Sequence, residues 1–235
     1  MSLPQAVILA GGLGLRLGVL AEGLPKPMVP VEGRPFLERV VAQLAAQGFE
    51  EILLLVGFRA EVIQDHFRDG EAWGLRIRYS REESPLGTGG ALKAARPLLG
   101  ERFLLLFGDL HREFDYAAFC RRHPGDCLAV YPYSAGLNTI ACGNVDFDPE
   151  SGRIRAYRKN DSAGGLGWVD AGFGVFRSTH LAALPEGPCS WEELAYPRMA
   201  EGGDLVGEAV DRRFFDIGNP EDLARTRQRL SVEEP

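Results

Sequence analysis

A glycine-rich turn stands directly after the first apolar run of the chain. The run Ala6–Ala10 is followed by Gly11, Gly12 and Gly14, and Arg16 lies two positions further on. Glycines let a backbone approach a ligand closely and aim several amides at one anion. A guanidinium binds phosphate oxygens through several donors. The pattern is neither a Walker motif nor the dinucleotide fingerprint, but it predicts a phosphate-binding loop.

A second cation follows on the same connection. Lys26 stands between Pro25 and Pro27, whose rings hold the backbone of this segment stiff. The alternative is a glycine turn with a solvated arginine. We favour phosphate binding because the Pro-Lys-Pro segment and the glycine turn share one loop.

Two carboxylates follow short apolar runs and could meet at the same place. Asp109 comes just after the run Phe103–Phe107, and Asp216 ends another short predicted strand. Converging carboxylates at a phosphate site can hold Mg²⁺, which prefers oxygen ligands. Taken singly, each could equally be a helix cap or a turn residue. Asp115 is a weaker third candidate, better interpreted as the cap of a helix that begins near Tyr116.

In the first half of the chain, short apolar runs alternate with segments of helical periodicity, and these elements must position the residues named above. Four apolar runs read as buried parallel strands: Ala6–Ala10, Ile52–Val56, Leu75–Tyr79 and Phe103–Phe107. Segments with helical periodicity lie between them. The alternation predicts an α/β fold, a Rossmann-like three-layer sandwich with a mostly parallel central sheet. Such folds bind ligands at the carboxyl edge of the strands.

The second half is less regular. Predicted strands there are Cys127–Tyr133, Thr139–Phe147, Arg153–Tyr157 and Trp168–Phe176. We expect them to add antiparallel strands to one side of the sheet. A helix near Trp191–Ala200 and a strand Arg213–Asp216 should follow. Asn219 and Pro220 mark the start of the last helix.

Composition bounds the classes of function. The chain has 235 residues, a formal net charge of -7 and 45% hydrophobic residues, which fits one domain with a full core. The acidic balance argues against a duplex nucleic-acid partner. The run after the N-terminus is too short for a signal peptide or membrane span. The four cysteines form no CxxC pair, so we expect reduced thiols, a cytoplasmic location and no membrane partner.

Several ordered motifs resemble one known family. Gly11–Leu17, Pro25–Met28, Glu83–Ala91, Phe107–Asp109 and Phe215–Leu223 resemble the signature segments of the sugar-phosphate nucleotidyltransferases, also called nucleotide-sugar pyrophosphorylases. The similarity extends over nearly the whole chain. The short length and the PLGTGGA string are most similar to the branch of the heptose 1-phosphate guanylyltransferases, with the mannose-1-phosphate guanylyltransferases as neighbours.

The resemblance implies a reaction and a set of roles. An NTP and a sugar 1-phosphate would react to give a nucleotide sugar and pyrophosphate, with Mg²⁺ held by Asp109 and Asp216. The catalytic residues would be Arg16 at the β- and γ-phosphates, Lys26 at the α-phosphate, and Asp109. The NTP would lie against Leu9, Gly11, Gly12, Gly14, Glu82, Gly87, Thr88 and Gly89. The sugar phosphate would lie against Gly143, Lys159 and Asp170.

The resemblance also divides the single domain, residues 1–235, into two halves. Residues 1–112 would bind the NTP, and residues 113–235 would bind the sugar phosphate. The carboxylate of Glu82 or Glu83 could accept hydrogen bonds from guanine N1–H and N2–H₂, which favours GTP. Two solvated acidic residues are the alternative for that pair. Homo-oligomerisation stays open.

Two positions depart from the family pattern on the sugar side. Arg158 stands where relatives carry a Glu before Lys159, and Asp170 stands where they carry Asn. These changes leave the identity of the acceptor substrate undetermined. Alternatives are a uridylyl- or cytidylyltransferase, a transferase acting on a non-sugar phosphate, and a catalytically silent domain that binds a nucleotide sugar.

Overall fold

The computed structural model describes residues 2–12, 23–133, 143–159, 165–210 and 214–233. Within these ranges the chain forms thirteen β-strands and six α-helices. The strands are β1 (Gln5–Leu9), β2 (Pro30–Val31), β3 (Arg34–Pro35), β4 (Glu51–Val56), β5 (Arg76–Arg81), β6 (Arg102–Phe107), β7 (Leu110–His111), β8 (Cys127–Pro132), β9 (Val145–Asp148), β10 (Arg153–Tyr157), β11 (Trp168–Arg177), β12 (Val206–Ala209) and β13 (Phe215–Asp216). The helices are α1 (Phe36–Ala46), α2 (Ala60–Phe67), α3 (Gly87–Ala94), α4 (Tyr116–Arg122), α5 (Trp191–Gly202) and α6 (Pro220–Glu233).

The fold is a mixed α/β fold, and the four apolar runs of the first half form its parallel part. Strands β5, β4, β1 and β6 lie side by side in that order, and all three pairings are parallel. Ala6 of β1 is paired with Ile52 of β4 and Leu104 of β6. The predicted strands are confirmed to within two residues at each end.

Helices cover both faces of this parallel part. Ile8 points to a core cluster that includes residues of α1, α2 and α4, whereas Val7 points to a cluster that includes residues of α3 and α5. Successive residues of a strand face opposite sides. A strand covered on both sides must therefore be apolar throughout, which explains the unbroken apolar runs.

The second half does more than add antiparallel strands. β11 pairs antiparallel with β6 and β8, as predicted, but β12 then pairs parallel with β8. β10 bridges β12 and β9, and β9 returns to β11 through the pair Trp168 and Val145. Strands β11, β8, β12, β10 and β9 thus form a closed ring of pairings. The sequence prediction of a sheet extended on one side missed this closure, because it rests on single long-range pairs. Part of the predicted strand Thr139–Phe147 lies outside the described residues.

The predicted helix starts are confirmed. The Asp115 carboxylate accepts a hydrogen bond of 2.7 Å from the Ala118 amide, and so caps α4. The Asn219 side chain accepts one of 2.9 Å from the Asp222 amide at the start of α6. None of the helices in the described ranges is long and apolar enough to cross a membrane.

A buried carboxylate stabilises the end of β11. Asp126 is 2% exposed, and its oxygens accept hydrogen bonds from the Arg177 amide at 2.8 Å and Nε at 2.7 Å, and from His180 at 2.9 Å. Burial raises the pKa of this carboxyl. The hydrogen bonds from His180 and Arg177 outweigh that effect and leave the pKa below its usual value.

We expect Asp126→Asn to lower the free energy of unfolding at neutral pH by about 2–3 kcal/mol, because the amide loses the charged hydrogen bonds. A carboxyl with a depressed pKa contributes stability above its ordinary pKa of 3.8, and that contribution is lost as the pH falls through the folded-state pKa. Urea unfolding near neutral pH, and again at successively lower pH below 3.8, measures both effects. Asp148→Asn, which removes a more accessible carboxylate bound to Arg155 at 2.7 Å, is the matched control. An equal loss in both variants would contradict the expectation.

Candidate active site

The glycine turn follows β1 at the carboxyl edge of the parallel strands. Gly11 lies so close to its neighbours that a Cβ atom there would lie 2.7 Å from Glu82 Oε1 and 3.3 Å from the Gly57 amide nitrogen. Gly12 has open space around it within 4 Å. A side chain at position 11 would therefore displace the Glu82 carboxylate and crowd the backbone at Gly57. Gly14 and Arg16, both predicted for this site, lie outside the described residues.

Lys26 reaches the same edge from the following segment. A 3₁₀ turn, Lys26–Met28, begins after Pro25 and closes with the Met28 amide donating to the Pro25 carbonyl at 2.8 Å. The Lys26 residue is 7% exposed, and its ammonium contacts the Asp109 carboxylate. A buried lysine needs such a partner because an unpaired charge is costly to desolvate.

A short antiparallel pairing of β7 with β13 brings the two predicted metal-binding carboxylates together. Leu110 of β7 pairs with Asp216 of β13, and the Ile217 amide donates to the Asp109 carbonyl at 3.2 Å. The Thr226 hydroxyl of α6 donates to the Asp216 carbonyl at 2.8 Å and ties this strand to the last helix. Asp109 and Asp216, which are more than 100 positions apart in the chain, thus lie close to each other at the edge of the sheet.

The electrostatics of the pair fit a cation. Burial, and next the charge of Asp109, raise the pKa of Asp216 to about 6, whereas Lys26 acts in the opposite direction. Two carboxylates that repel each other in a partly buried place, with oxygen donors only, are suited to a hard divalent ion. In the part of the chain that the structure describes, no group of three or more His, Cys, Asp or Glu residues could hold a metal by itself. A divalent ion there would need further ligands besides these two carboxylates.

A cavity of about 290 Å³ opens beside these groups. Its lining residues are Leu9, Ala10, Gly11, Gly12, Lys26, Pro27, Leu55, Glu82, Pro85, Gly87, Thr88, Ala91, Phe107 and Asp109. The cavity therefore brings together every described residue predicted for the NTP side except Gly89. Gly89 instead packs against the segment before α5, and its amide donates to the Cys189 carbonyl at 2.9 Å.

Glu82 lines both this cavity and a second one of about 500 Å³, which Glu83 and Phe58 also line. The Leu86 amide donates to Glu82 Oε2 at 3.0 Å. Burial raises the pKa of the Glu82 carboxyl, and the bond from Leu86 offsets part of the rise. The carboxylate is thus held in place at a boundary where a ligand in either cavity could meet it.

Lys159 lies near α5, beyond the end of β10. Its ammonium donates to Ser190 Oγ at 3.0 Å and to Glu192 Oε2 at 3.2 Å. Gly143 approaches the chain so closely that a Cβ atom would lie 1.8 Å from the Leu166 carbonyl oxygen, so no side chain fits there. That Lys159 and Gly143 bind a sugar phosphate stays a prediction.

Asp170, the third residue predicted for the sugar side, lies in a polar cluster. Its carboxylate accepts hydrogen bonds from the Gly172 amide at 2.8 Å and from the Tyr157 hydroxyl at 3.2 Å. Asn144 accepts a bond of 2.9 Å from the Asp170 amide. Burial raises the pKa of Asp170 to about 7, the Gly172 bond lowers it, and the charge of Glu192 adds to the rise.

We expect Asp170→Asn to stabilise the protein near pH 8 by about 1–3 kcal/mol and to have little effect near pH 4. The raised folded-state pKa means that stability is lost as the pH rises from the unfolded-state value of 3.8 to about 7. An amide can still accept from Gly172 and donate to Tyr157. Urea unfolding at the two pH values is the measurement, with Asp65→Asn on the exposed face of α2 as control. A variant no more stable than the wild type near pH 8 would refute this expectation.

The sequence prediction missed one residue of this region, Glu192. It is 4% exposed and contacts both Lys159 and Thr88. Its neighbour Ser190 caps α5, accepting a bond of 3.2 Å from the Glu193 amide. An acidic residue in the first turn of a capped helix is common for reasons of helix stability alone, so the sequence holds no separate signal for this contact.

The chain matches the model of one known protein family. The family model described as nucleotidyl transferase matches residues 5–158. The chain belongs to the nucleotidyl transferase family. The matched segment contains both the glycine turn and Asp109, so family membership and cavity geometry concern the same residues.

Relatives of known name support this membership. The chain is 32% identical over 228 residues to the mannose-1-phosphate guanylyltransferase of Mycobacterium tuberculosis, a match covering 94% of this chain and 63% of that protein. It is 40% identical over 126 residues to the D-glycero-alpha-D-manno-heptose 1-phosphate guanylyltransferase of Campylobacter jejuni, covering 54% of this chain and 57% of that protein. The matched segments cover less than two thirds of the length of both relatives.

Several solved structures have the same fold as this chain. Crystal structures of HddC from Yersinia pseudotuberculosis superpose with a TM-score of 0.81 at 28% identity, covering 97% of this chain and 99% of HddC. A second HddC structure, in complex with GMP-PN, gives a TM-score of 0.80 at 27% identity. A putative glucose-1-phosphate thymidylyltransferase from Bacillus anthracis, only 17% identical, shares the fold with a TM-score of 0.83.

Proposed function

We propose that this nucleotidyl transferase transfers a nucleoside monophosphate from an NTP, with GTP favoured, to a sugar 1-phosphate of the heptose or mannose type. The products are a nucleotide sugar and pyrophosphate. The observation that carries the proposal is the meeting of Lys26, Asp109 and Asp216 beside a cavity walled by the glycine turn and by Gly87 and Thr88. The names of the two sequence relatives and of HddC's bound ligand agree with this choice of substrates.

The chemistry needs positioning and charge neutralisation more than proton transfer. A phosphate oxygen of the acceptor is already an anion, so it can attack the α-phosphorus without a general base, and pyrophosphate leaves from the opposite side. Lys26 neutralises the α-phosphate, where two anionic reactants repel each other most. Arg16 is assigned to the leaving β- and γ-phosphates, and Lys159 to the phosphate of the acceptor.

Asp109 and Asp216 would hold Mg²⁺. When bound, the ion supplies charge neutralisation for the phosphates. The protein contributes the two carboxylates at fixed positions on β13 and after β6, and Lys26 beside Asp109 limits the negative charge of the pair. We further propose that the domain has two halves that meet at this edge. Residues 1–112 bind the NTP, and residues 113–235 bind the sugar phosphate. We infer a three-layer Rossmann-like arrangement for the parallel half.

Glu82 is our choice for base recognition. Its carboxylate is held by Leu86 between the two cavities, and an ionised carboxylate can accept from both guanine N1–H and N2–H₂. Uracil and thymine present only N3–H, so they would leave one acceptor position unused. This difference favours GTP over UTP and dTTP.

The test is pyrophosphate release across a grid of NTPs and sugar 1-phosphates with Mg²⁺. Release with GTP and a manno-configured acceptor, such as mannose 1-phosphate or a heptose 1-phosphate, is the expected result. A sharp preference for UTP or dTTP would overturn the choice of base. A folded protein that binds NTP and releases no pyrophosphate with any acceptor would overturn the proposed activity.

A further inference from the structure

A hydrogen-bond network joins the NTP cavity to Lys159. The Thr88 hydroxyl, which lines the cavity, donates to Glu192 Oε2 at 2.5 Å and accepts from the Trp191 amide at 2.9 Å. Lys159 donates to the same Oε2 at 3.2 Å. One carboxylate oxygen on α5 thus contacts both a residue of the NTP side and the lysine assigned to the acceptor phosphate.

The surroundings of Glu192 hold it in this position. Its side chain is 5% exposed, and the Ser190 hydroxyl donates a third hydrogen bond to Oε2 at 2.7 Å. Lys159, with 35% of its side chain exposed, is the solvent-facing member of the network. A buried carboxylate with three donors on one oxygen has little freedom to move, whereas the ammonium it holds can still reach a ligand.

We propose that Glu192 is a positioning residue that orients the Lys159 ammonium for the acceptor phosphate, and that Thr88 couples this orientation to the occupancy of the NTP cavity. The role given to Lys159 rests on the proposed function. Position 158, next to Lys159 in the chain, carries a cation, and the carboxylate that faces Lys159 comes instead from α5. An NTP that contacts Thr88 changes the hydrogen bond from Thr88 to Glu192. That change alters how Glu192 holds the Lys159 ammonium.

The charge and the bond geometry of Glu192 can be separated by substitution. Glu192→Gln keeps the shape and an acceptor oxygen for Thr88 and Ser190 but removes the charge that attracts Lys159. We expect it to raise the KM for the sugar 1-phosphate about tenfold and to change the KM for the NTP less than about threefold.

Thr88→Val removes the hydroxyl bond with little change of shape, and should raise the KM for the acceptor by about threefold or more at saturating NTP.

Glu208→Gln is the matched control. Glu208 accepts hydrogen bonds from Arg122 at 2.5 Å and from His123 at 2.5 Å, and it lines neither cavity of the site. We expect its kinetic constants to equal those of the wild type. If Glu192→Gln leaves the KM for the acceptor unchanged, or lowers only kcat together with the melting temperature as a structural defect would, the proposal is overturned.

A second readout separates this proposal from the proposed function. Acylation of Lys159 by a small amine reagent, followed by peptide mass spectrometry, reports how the ammonium is held without any turnover. We expect Lys159 to react at least about threefold faster in Glu192→Gln than in the wild type, since it loses its charged partner. Equal rates in the two proteins would overturn the positioning role even in a protein that releases no pyrophosphate. If Lys159 is labelled faster in Glu192→Gln but the protein releases no pyrophosphate, the positioning role stands and only the proposed activity is overturned.

Discussion

Asp109→Asn should reduce pyrophosphate release by about a thousandfold or more, because it removes a charge worth several kcal/mol of transition-state stabilisation. The Asp109 carboxylate contacts the Lys26 ammonium and raises the pKa of Asp216, so it lies within reach of both charges of the site. An amide can neither balance Lys26 nor bind a divalent ion with comparable strength. Turnover at saturating substrates, measured on protein that remains folded by circular dichroism, checks the expectation.

Asp115→Asn is the control for this variant. Asp115 lies six positions further along the chain and caps α4 through its bond to the Ala118 amide. We expect full turnover from this control, with a loss of stability no larger than about 1 kcal/mol because Asn also caps helices well. If Asp109→Asn kept release within about tenfold of the wild type, Asp109 would not belong to the catalytic site.

Lys26→Met should reduce turnover by about a hundredfold to a thousandfold, the size of effect seen when one oriented donor to a developing charge is removed. Lys26 is buried between two prolines and can reach a phosphate in the adjoining cavity without first being ordered. The variant also leaves Asp109 and Asp216 without their nearby cation, so Asp216 should bind its proton more tightly. Turnover at several Mg²⁺ concentrations measures both consequences.

Lys93→Met is the matched control for Lys26→Met. Lys93 on α3 donates to the Leu184 carbonyl at 2.7 Å and contacts Glu186 at 2.6 Å, and it does not line the NTP cavity. We expect its turnover to remain at the wild-type level. Equal losses in the two lysine variants would show that a general change of charge, and not the position of Lys26, causes the effect.

The parallel half of the fold was predictable because its signals are local. Runs such as Ile52–Val56 are apolar on both faces. Local signals in the second half were predictable too, because the caps Asp115 and Asn219 lie within three positions of the amides that they bind. The ring of strands in the second half depends instead on pairs such as Val145 with Trp168. Such pairs join residues far apart in sequence, and no local pattern specifies their register.

The site was predictable to the extent that its residues lie in contiguous motifs. The glycine turn, Lys26 and Asp109 each follow a strand or lie on a stiff loop, and the sheet brings them to one edge. The contact of Glu192 with Lys159 and Thr88 could not be predicted, because it depends on how α5 packs against α3 and β10. For Gly89, predicted at the NTP, the structure shows an amide that donates to Cys189.

The most direct test of nucleotidyl transfer is the fate of label in GTP. The protein would be incubated with Mg²⁺, mannose 1-phosphate and GTP labelled either in the α-phosphate or in the γ-phosphate, and the products separated. We expect the α-label to enter a nucleotide sugar and the γ-label to leave in pyrophosphate, both only when the acceptor is present. Transfer of the γ-label to the sugar, or release of orthophosphate without an acceptor, would contradict this expectation.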